Sequence, residues 1–430
     1  MRSSVGKLVA VAAALTLTAT ACGSSGSDDA GGDKNGGGKL TVWIMDGTNT
    51  NQAEMFAAVN KDFEAQHKGV KVSVQFVPWT AAHQKFVTSV AGGSGPDVAE
   101  MGSTWTPEFA ASGGLADLSD KVGSWDLKDK QTPGLMDSVT YDGKQYGIPW
   151  YAGVRSLIYR SDLLEKAGVQ PPKTWDDLVA AATKVQKANK GVYGFAASGS
   201  NQYALYPFIW GAGGQVAEKS GDKWNATIDS PEAQKGISFF TGLMTEHKLS
   251  PKAAATWNAK DQVSNFQLGK LAMMIGGQWE IKSILTGAPN LKGKIGSIEI
   301  PVMNAGDTSK SFAGGSDLVV FKNTKNKDLA WDYLQLMASD KYQTMWAEQT
   351  GFFPSNTDLL KAGTYQDDPL MKAFANQMAN AVNVPSAPKW GAVEGASTIT
   401  TMTQSILTGK QTVAEASKAA AQQIDAQLNG

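Results

Sequence analysis

The 430-residue chain carries 39 Lys and Arg against 40 Asp and Glu, so its net charge of -1 gives no reason to expect a nucleic-acid partner. Its hydrophobic content of 42% predicts a packed core, its length allows two or three domains, and its single cysteine excludes an intrachain disulfide framework. Thirteen tryptophans exceed what cores usually need. Some are therefore expected in a binding surface, where a flat ring covers apolar ligand area.

The first residues predict export and anchoring. A basic start precedes an apolar run over residues 8–21, which fits a secretory signal (residues 1–21) and is short for a membrane span. The run ends at Ala-Thr-Ala-Cys, which resembles a bacterial lipobox except that Ala19 stands where Leu is usual. Cys22 is then the lipidated first residue of the mature chain; the alternative is an unmodified cysteine after a cleaved signal. The tether, residues 22–38, is rich in Gly, Ser and Asp and is predicted to be flexible.

Strand and helix patterns alternate in the next segment. Strands are predicted at residues 39–45, 70–77 and 96–101, with helices at 52–67 and 81–91 between them. This order predicts a parallel sheet wrapped by helices. Ligands of such sheets lie beyond the carboxyl ends of the strands. That rule points to Asp46, Trp79, Glu100 and Trp105.

A long apolar segment divides the chain. Residues 147–159 form an apolar strand pattern with aromatic side chains on alternate residues. A short helix at 161–168 ends at a glycine, and the double proline at 171–172 precedes a Thr-x-x-Asp helix start. The pattern predicts a strand that leaves one body of structure and enters another.

Further elements follow the crossover. Helices are predicted at residues 178–189, 204–210, 230–247 and 327–339 and at the C-terminus, with strands at 192–196, 295–301 and 312–321. Residues 269–279 combine an apolar strand with a glycine loop that displays Trp279, and Glu280 beside it is expected to face water.

Three of these stretches carry a family resemblance. The crossover strand, Tyr-Arg-Ser-Asp-Leu-Leu-Glu-Lys-Ala-Gly (159–168) and Pro-Pro-Lys-Thr-Trp-Asp-Asp-Leu (171–178) resemble the extracellular solute-binding proteins of bacterial ABC importers. Within them the chain looks most like the carbohydrate-binding branch that includes maltose-binding protein. The resemblance covers nearly all the mature chain, and the order of the motifs carries it.

The resemblance implies an α/β, two-lobed periplasmic-binding-protein-like fold of type II, with a ligand cleft between lobes joined by three crossings. Lobe I would comprise residues 39–148 plus 312–355, and lobe II residues 149–311 plus 356–430. It also implies a sugar ligand, permease subunits as membrane partners, and no cofactor.

A sugar site can be assembled from the residues. A pyranose ring offers an apolar face and an edge of hydroxyls, so its site needs flat aromatics with carboxylates, amides or guanidinium groups. The aromatic candidates are Trp79, Trp105, Tyr151, Tyr203, Trp257, Trp279 and Trp390. The remaining candidates are Asp46, Glu100, Arg155, Asn201, Gly277, Ser316 and Asp317. Trp279 takes its role by position in the resemblance. A single Trp is more often a core residue, and Arg155 could equally form a salt bridge at the lobe boundary.

Two alternatives stay open. Aromatics beside carboxylates also describe a glycoside hydrolase, although the carboxylates cannot be paired from the sequence. A polyamine-binding protein of the same fold would use carboxylates with aromatics. No Gly-x-x-x-x-Gly-Lys-Ser/Thr is present, so the chain is not itself the ATPase, and its three His lack zinc-site spacing. We therefore expect a monomeric, lipid-anchored extracellular protein that binds an oligosaccharide without metal, cofactor, nucleic acid or catalysis. Chito-oligosaccharides, malto-oligosaccharides, trehalose and cellobiose all fit.

Overall fold

The described part of the chain begins just before the first strand. The computed structural model describes residues 38–46, 52–132, 135–221, 223–385 and 387–430, without the side chains of Asp46 and Thr364. The predicted signal peptide, Cys22 and the tether up to residue 37 lie outside these residues.

The strands are β1 (Lys39–Asp46), β2 (Lys71–Pro78), β3 (Val98–Gly102), β4 (Thr140–Tyr141), β5 (Lys144–Gln145), β6 (Gly147–Arg160), β7 (Ala217–Ser220), β8 (Lys223–Ala226), β9 (Met273–Gly277), β10 (Ile295–Ile298), β11 (Ser311–Val320), β12 (Phe353–Pro354) and β13 (Ala381–Val382). The helices of the first half are α1 (Gln52–Gln66), α2 (Trp79–Ala91), α3 (Thr106–Ala111), α4 (Ser119–Gly123), α5 (Leu135–Ser138), α6 (Ser161–Lys166), α7 (Trp175–Ala188) and α8 (Gln202–Gly211). Those of the second half are α9 (Pro231–Thr245), α10 (Ala259–Gln267), α11 (Gln278–Gly287), α12 (Lys327–Met337), α13 (Asp340–Thr350), α14 (Thr357–Ala362), α15 (Lys372–Ala379), α16 (Trp390–Gly395), α17 (Thr398–Leu407) and α18 (Val413–Asn429). Short 3₁₀ turns lie at Lys128–Lys130, Lys252–Thr256, Pro289–Leu291 and Thr364–Gln366.

The main sheet runs in the order β10-β6-β11-β3-β1-β2. β1 pairs in parallel with β2 and with β3, which confirms the parallel arrangement predicted from the alternating elements. β11 is antiparallel to both β3 and β6 and so inserts a late segment of the chain between them. The carboxyl ends of β1, β2 and β3 therefore meet at one edge, beside the middle of β11.

β6 is the predicted crossover strand. Its first part, up to Val154, pairs with β11, whereas its second part, from Arg155 onward, pairs with β9 and β10. The side chain of Gln278 lies at this change of partners, where its Oε1 accepts from the N–H of Val154 and its Nε2 donates to the carbonyl of Ala152, both at 3.0 Å. β12 returns the chain to the same place by pairing with residues 151–152. The amide thus gives hydrogen-bond partners to these two backbone groups where β6 changes its neighbouring strands.

Separate hydrophobic clusters lie on the two sides of the crossover. In lobe I, α1, α12 and α13 cover one face of the sheet around Phe56, Trp150 and Trp346, and α2 and α3 cover the other around Phe86 and Phe109. In lobe II, the larger cluster gathers α7, α8, α9, α17 and α18, and a further cluster around Phe266 and Phe374 also includes Leu135, Ala313 and Phe353 of the predicted lobe I. Both lobes belong to one compact unit of residues 37–430. The residue boundaries between them stay a prediction.

One predicted strand is wrong. Residues 192–196 form no strand, and only Tyr193 makes an isolated bridge, to Leu271. The neighbouring backbone groups bond elsewhere: the N–H of Gly194 donates to the side chain of Gln186 at 3.2 Å, and that of Phe195 donates to Leu249. The apolar, β-branched composition predicted a ladder, but tertiary contacts with a helix and a loop replaced it.

Among the described residues, none of the helices has both the length and the apolar character that crossing a membrane requires.

Candidate functional site

Two tryptophans lie beyond the carboxyl ends of β2 and β3. Trp79 is the first residue of α2, and Trp105 directly precedes α3. Their rings meet edge to face with centroids 5.5 Å apart, and both are half-buried. Gly102 lies under both rings, and a β-carbon there would contact each of them at 3.4–3.6 Å. The pair therefore forms an aromatic surface at the edge where the sheet rule predicts a ligand.

Arg155 lies among aromatic rings where β6 changes partners. Its guanidinium carbon is 4.4 Å from the ring centroid of Trp279, 5.1 Å from that of Tyr203 and 5.4 Å from that of Phe312. Burial lowers the pKa of Arg155 to about 10, so the group is charged at neutral pH. Within the described residues its guanidinium donates no hydrogen bond and forms no ion pair. A guanidinium has five N–H donors in a planar fork. This group can thus bind two neighbouring oxygen atoms.

Trp279 is positioned by its neighbours on α11 and by glycines. Its ring stacks on Phe352 with centroids 4.5 Å apart, and a side chain at Gly153 or at Gly277 would collide with it. Glu280 lies in the first turn of α11, and its Oε2 is buried without a hydrogen-bond partner among the described residues. Glu280 is only 2% exposed, so the expectation that it faces water is wrong. Burial raises the pKa of Glu280 to about 7, and the nearby charge of Arg155 opposes that rise.

Glu100 and Tyr151 form a buried polar pair beneath the aromatic surfaces. Glu100, 1% exposed, accepts from the hydroxyl of Tyr151 at 2.5 Å and from the N–H of Met45 at 2.8 Å. Ser316 donates to the hydroxyl of Tyr151 at 2.8 Å. Loss of water around the carboxyl group raises the pKa of Glu100 to about 7 despite these donors. The network fixes the Tyr151 ring, which lies 4.3 Å from that of Phe352.

Asp317 is a second buried carboxylate. It accepts from the hydroxyl of Thr106 at 2.7 Å and from that of Ser138 at 3.0 Å. Burial raises the pKa of Asp317 to about 7. Since both donors come from lobe I, Asp317 ties α3 and α5 to β11 at the edge of the cleft.

Glu394 is the polar residue that the sequence analysis missed. It lies on α16 and accepts four hydrogen bonds, two from each lobe. From lobe I, its Oε2 accepts from Thr104 at 2.6 Å and from Trp105 Nε1 at 3.0 Å. From lobe II, its Oε1 accepts from Gln202 at 3.0 Å and from Tyr203 at 3.2 Å. Its burial raises the pKa of Glu394. The carboxylate joins the two aromatic surfaces.

The other predicted residues lie in several surroundings. Asn201 is buried directly before α8, and Trp257 is half-buried against the lobe II clusters. Trp390 is fully buried in the larger lobe II cluster, although it starts the helix that carries Glu394. Asp46 ends β1, and its side chain lies outside the described part of the chain. Phe312 and Phe352, which no pattern selected, complete the aromatic surface. The Gly-Phe-Phe-Pro-Ser turn was the only signal for Phe352.

The arrangement suits recognition of a neutral polar ligand with an apolar face. Aromatic faces from both lobes lie beside one unpaired guanidinium and above carboxylates that accept from protein donors. A cavity of about 50 Å³ beside this site is lined by residues that include Thr104, Ser138, Phe312 and Asn383, whereas Arg155, Trp279 and Glu394 do not line it. In the described residues, no group of three or more His, Cys, Asp or Glu could hold a metal ion.

Comparisons with known proteins place the chain in a family. Residues 47–344 match the family model described as "Bacterial extracellular solute-binding protein". The chain is 31% identical to the diacetylchitobiose binding protein DasA of Streptomyces coelicolor, over 97% of this chain and 96% of that one. It is 24% identical to the maltotriose-binding protein of Pyrococcus abyssi, over 84% of this chain and 77% of that one.

Solved structures share the fold. An ABC transporter solute-binding protein of Thermotoga lettingae bound with α-D-tagatose matches with a TM-score of 0.82 and 31% identity, over 91% of this chain and 99% of that one. The GacH receptor of Streptomyces glaucescens, solved unliganded and with acarbose, matches with a TM-score of 0.81 and 27% identity, over 91% of this chain and 98% of that one. These matches confirm the predicted α/β fold and the resemblance drawn from the crossover motifs. The chain belongs to the bacterial extracellular solute-binding proteins.

Proposed function

We propose that this chain captures an oligosaccharide outside the cell and delivers it to the permease subunits of an ABC importer. The observation that carries the proposal is the unpaired guanidinium of Arg155, which lies among the rings of Trp279, Tyr203 and Phe312. Aromatic faces suit the C–H faces of pyranose rings, and a planar fork suits adjacent hydroxyl or carbonyl oxygens. Relatives whose names state diacetylchitobiose or maltotriose binding support the same ligand class.

The charges around the cleft favour a neutral sugar. Among the described residues, Glu100, Glu280 and Asp317 are buried there and Glu394 is half-buried, against the guanidinium of Arg155. An acidic sugar would add another negative charge to this group, and like charges disfavour each other in a region of low dielectric. The relative's ligand, diacetylchitobiose, is neutral and has carbonyl oxygens that a guanidinium can bind. It is therefore the first ligand to test.

The proposed mechanism is binding without catalysis. Aromatic surfaces on lobe I (Trp79, Trp105) and at the crossover (Tyr203, Trp279) would close on the sugar, and contacts made only in the closed state would shift the population toward it. Glu100, Asp317 and Glu394 accept hydrogen bonds from protein donors, which makes these three carboxylates poorly suited to act as the acid and base of hydrolysis. Lipidation at Cys22 would hold the chain on the outer face of the membrane. The chain would act there as a monomer.

Calorimetry and thermal unfolding of the full chain carrying Cys22→Ser test this proposal. The ligands are diacetylchitobiose, maltotriose, cellobiose and trehalose, with spermidine for the polyamine alternative and an acidic disaccharide for the charge argument. A saturating ligand raises the melting temperature by mass action. We expect binding of one neutral oligosaccharide and its recovery intact by mass spectrometry. Cleavage of the sugar would support the hydrolase alternative, and binding of spermidine alone would refute the sugar assignment.

A further inference from the structure

Glu394 accepts hydrogen bonds from residues of both lobes. We infer that it is a latch that holds the lobes together and competes with the ligand for the same hydrogen-bond donors. The competition rests on the proposed function, whereas the latch does not. Two observations on the described residues carry the inference: the use of all the acceptor positions of Glu394, and the close approach of its helix to lobe I.

All acceptor positions of the carboxylate are occupied. An ionised carboxylate has two oxygens with about four lone-pair sites. Each oxygen of Glu394 accepts two hydrogen bonds, those of Oε2 from lobe I and those of Oε1 from lobe II. The bond from Thr104, at 2.6 Å, is the shortest of the four. Separating the lobes would therefore break the two bonds to Oε2 and leave that oxygen to water.

The helix that carries Glu394 lies close to lobe I for a second reason. A β-carbon at Gly395 would lie 2.8 Å from Nδ1 of His83, a distance that side chains do not tolerate. Glycine at this position lets the backbone of α16 approach α2. This close approach places Glu394 within reach of Thr104 and Trp105.

The latched arrangement leaves little room beside Thr104. The cavity that Thr104, Ser138 and Phe312 line has a volume of about 50 Å³. Sites for small organic ligands have volumes of about 300–1,000 Å³. An oligosaccharide therefore fits this cavity only after the lobes separate. The indole N–H of Trp105, whose ring the proposed function assigns to the sugar, becomes available when the lobes separate and Oε2 of Glu394 releases it.

The latch lowers the apparent affinity for ligand. Binding is weakened by the fraction of molecules in which the site is accessible, so a latch that favours the closed arrangement works against the sugar. A net hydrogen bond to a charged group shifts an equilibrium by a factor of about ten or more. Glu394→Gln replaces one acceptor oxygen by an amide nitrogen. This nitrogen donates hydrogen bonds, so it would face the protein N–H or O–H groups from which the oxygen had accepted. We expect this variant to increase both the open population and the rate of sugar association, the latter about tenfold or more.

Spin-label distances test the latch without any sugar. Labels at Lys61→Cys on α1 and Lys184→Cys on α7, both exposed positions, report the separation of the lobes in the full chain carrying Cys22→Ser. We expect Glu394→Gln to add a population at longer distance. The control is Glu415→Gln, the same chemical change at the exposed start of α18, where Glu415 bonds to Thr412 and is remote from the cleft. It should leave the distances unchanged.

A second variant keeps the test decisive if Glu394→Gln folds poorly. Thr104→Val removes one inter-lobe bond with almost no change of shape and should open the lobes in the same direction. Circular dichroism and thermal unfolding establish that each variant is folded. If neither folded variant changes the distance distribution, the latch is refuted, whatever the ligand is. If the distances lengthen but association with diacetylchitobiose or maltotriose is no faster, the competition with ligand is refuted and the latch stands.

Discussion

Replacing Arg155 should separate ligand affinity from stability. In the described residues its guanidinium has no hydrogen-bond or ion-pair partner, so Arg155→Met removes only its contacts with the surrounding rings and its longer-range attraction to Glu280. Burial lowers its pKa to about 10 although the charge of Glu280 opposes this change, which means that folding disfavours the charged form. We therefore expect the melting temperature of Arg155→Met to stay the same or to rise.

The affinity for sugar should fall steeply in the same variant. A hydrogen bond from a charged donor contributes about 1.5–3 kcal/mol, which corresponds to a loss of about 10-fold to 150-fold when it is removed. Arg155→Lys keeps the charge but loses the planar fork, so its affinity should lie between those of the parent and Arg155→Met. Titration calorimetry with the sugar identified above measures both losses.

Arg160 offers a matched control on the same strand. Its guanidinium bonds Asp162 through two nitrogens, at 2.8 Å and 2.7 Å. Arg160→Met should lower the melting temperature and leave sugar affinity unchanged, the opposite of the result for Arg155. Unchanged affinity in Arg155→Met, or a loss of stability equal to that of Arg160→Met, would refute the assignment of the free guanidinium to the ligand.

Three further outcomes are expected. Trp279→Ala should weaken sugar binding by about 1–3 kcal/mol in calorimetry, because it removes an aromatic anchor of the cleft. The pKa of Glu100 is raised from 4.5 to about 7 in the folded state, so the folded chain binds more protons than the unfolded chain between these values. Stability should therefore decrease as pH rises from about 4.5 to about 7, by up to about 3 kcal/mol from this group, and urea unfolding of Glu100→Gln should show a weaker decrease. Gln278→Ala should cost about 2–4 kcal/mol in urea unfolding, because it leaves backbone groups of Val154 and Ala152 unpaired in the interior.

Each of these outcomes has a contrary result. Trp224→Ala, in the β7–β8 hairpin, is the control for Trp279, and equal effects of the two changes on affinity would remove Trp279 from the site. A parent protein whose stability rises with pH over this range would contradict the raised pKa of Glu100. If Gln278→Ala unfolds at the urea concentration of the parent, its bonds to β6 contribute nothing net.

Local sequence patterns determined the parallel sheet, the crossover strand and the strand ends of this protein. Alternating apolar strands and amphipathic helices in the first hundred residues of the mature chain require a parallel sheet, because each element must bury one face. The long apolar run of β6 likewise predicts a strand buried along its whole length. The positions of Trp79 and Trp105 followed from the rule for strand ends. These features could be predicted since they depend on spacing within a few neighbouring elements.

Only the tertiary structure decided which polar groups meet. Glu394 lies on a short helix about 290 residues after Thr104, and no local pattern brings the two together. Glu280 was expected in water because carboxylates usually are, yet the first turn of α11 that carries it is buried. Arg155 could have been a salt-bridge partner, and the absence of one within the described residues became evident only when every neighbouring chain segment was in place. Contacts of this kind depend on long-range packing, which the sequence around each residue does not encode.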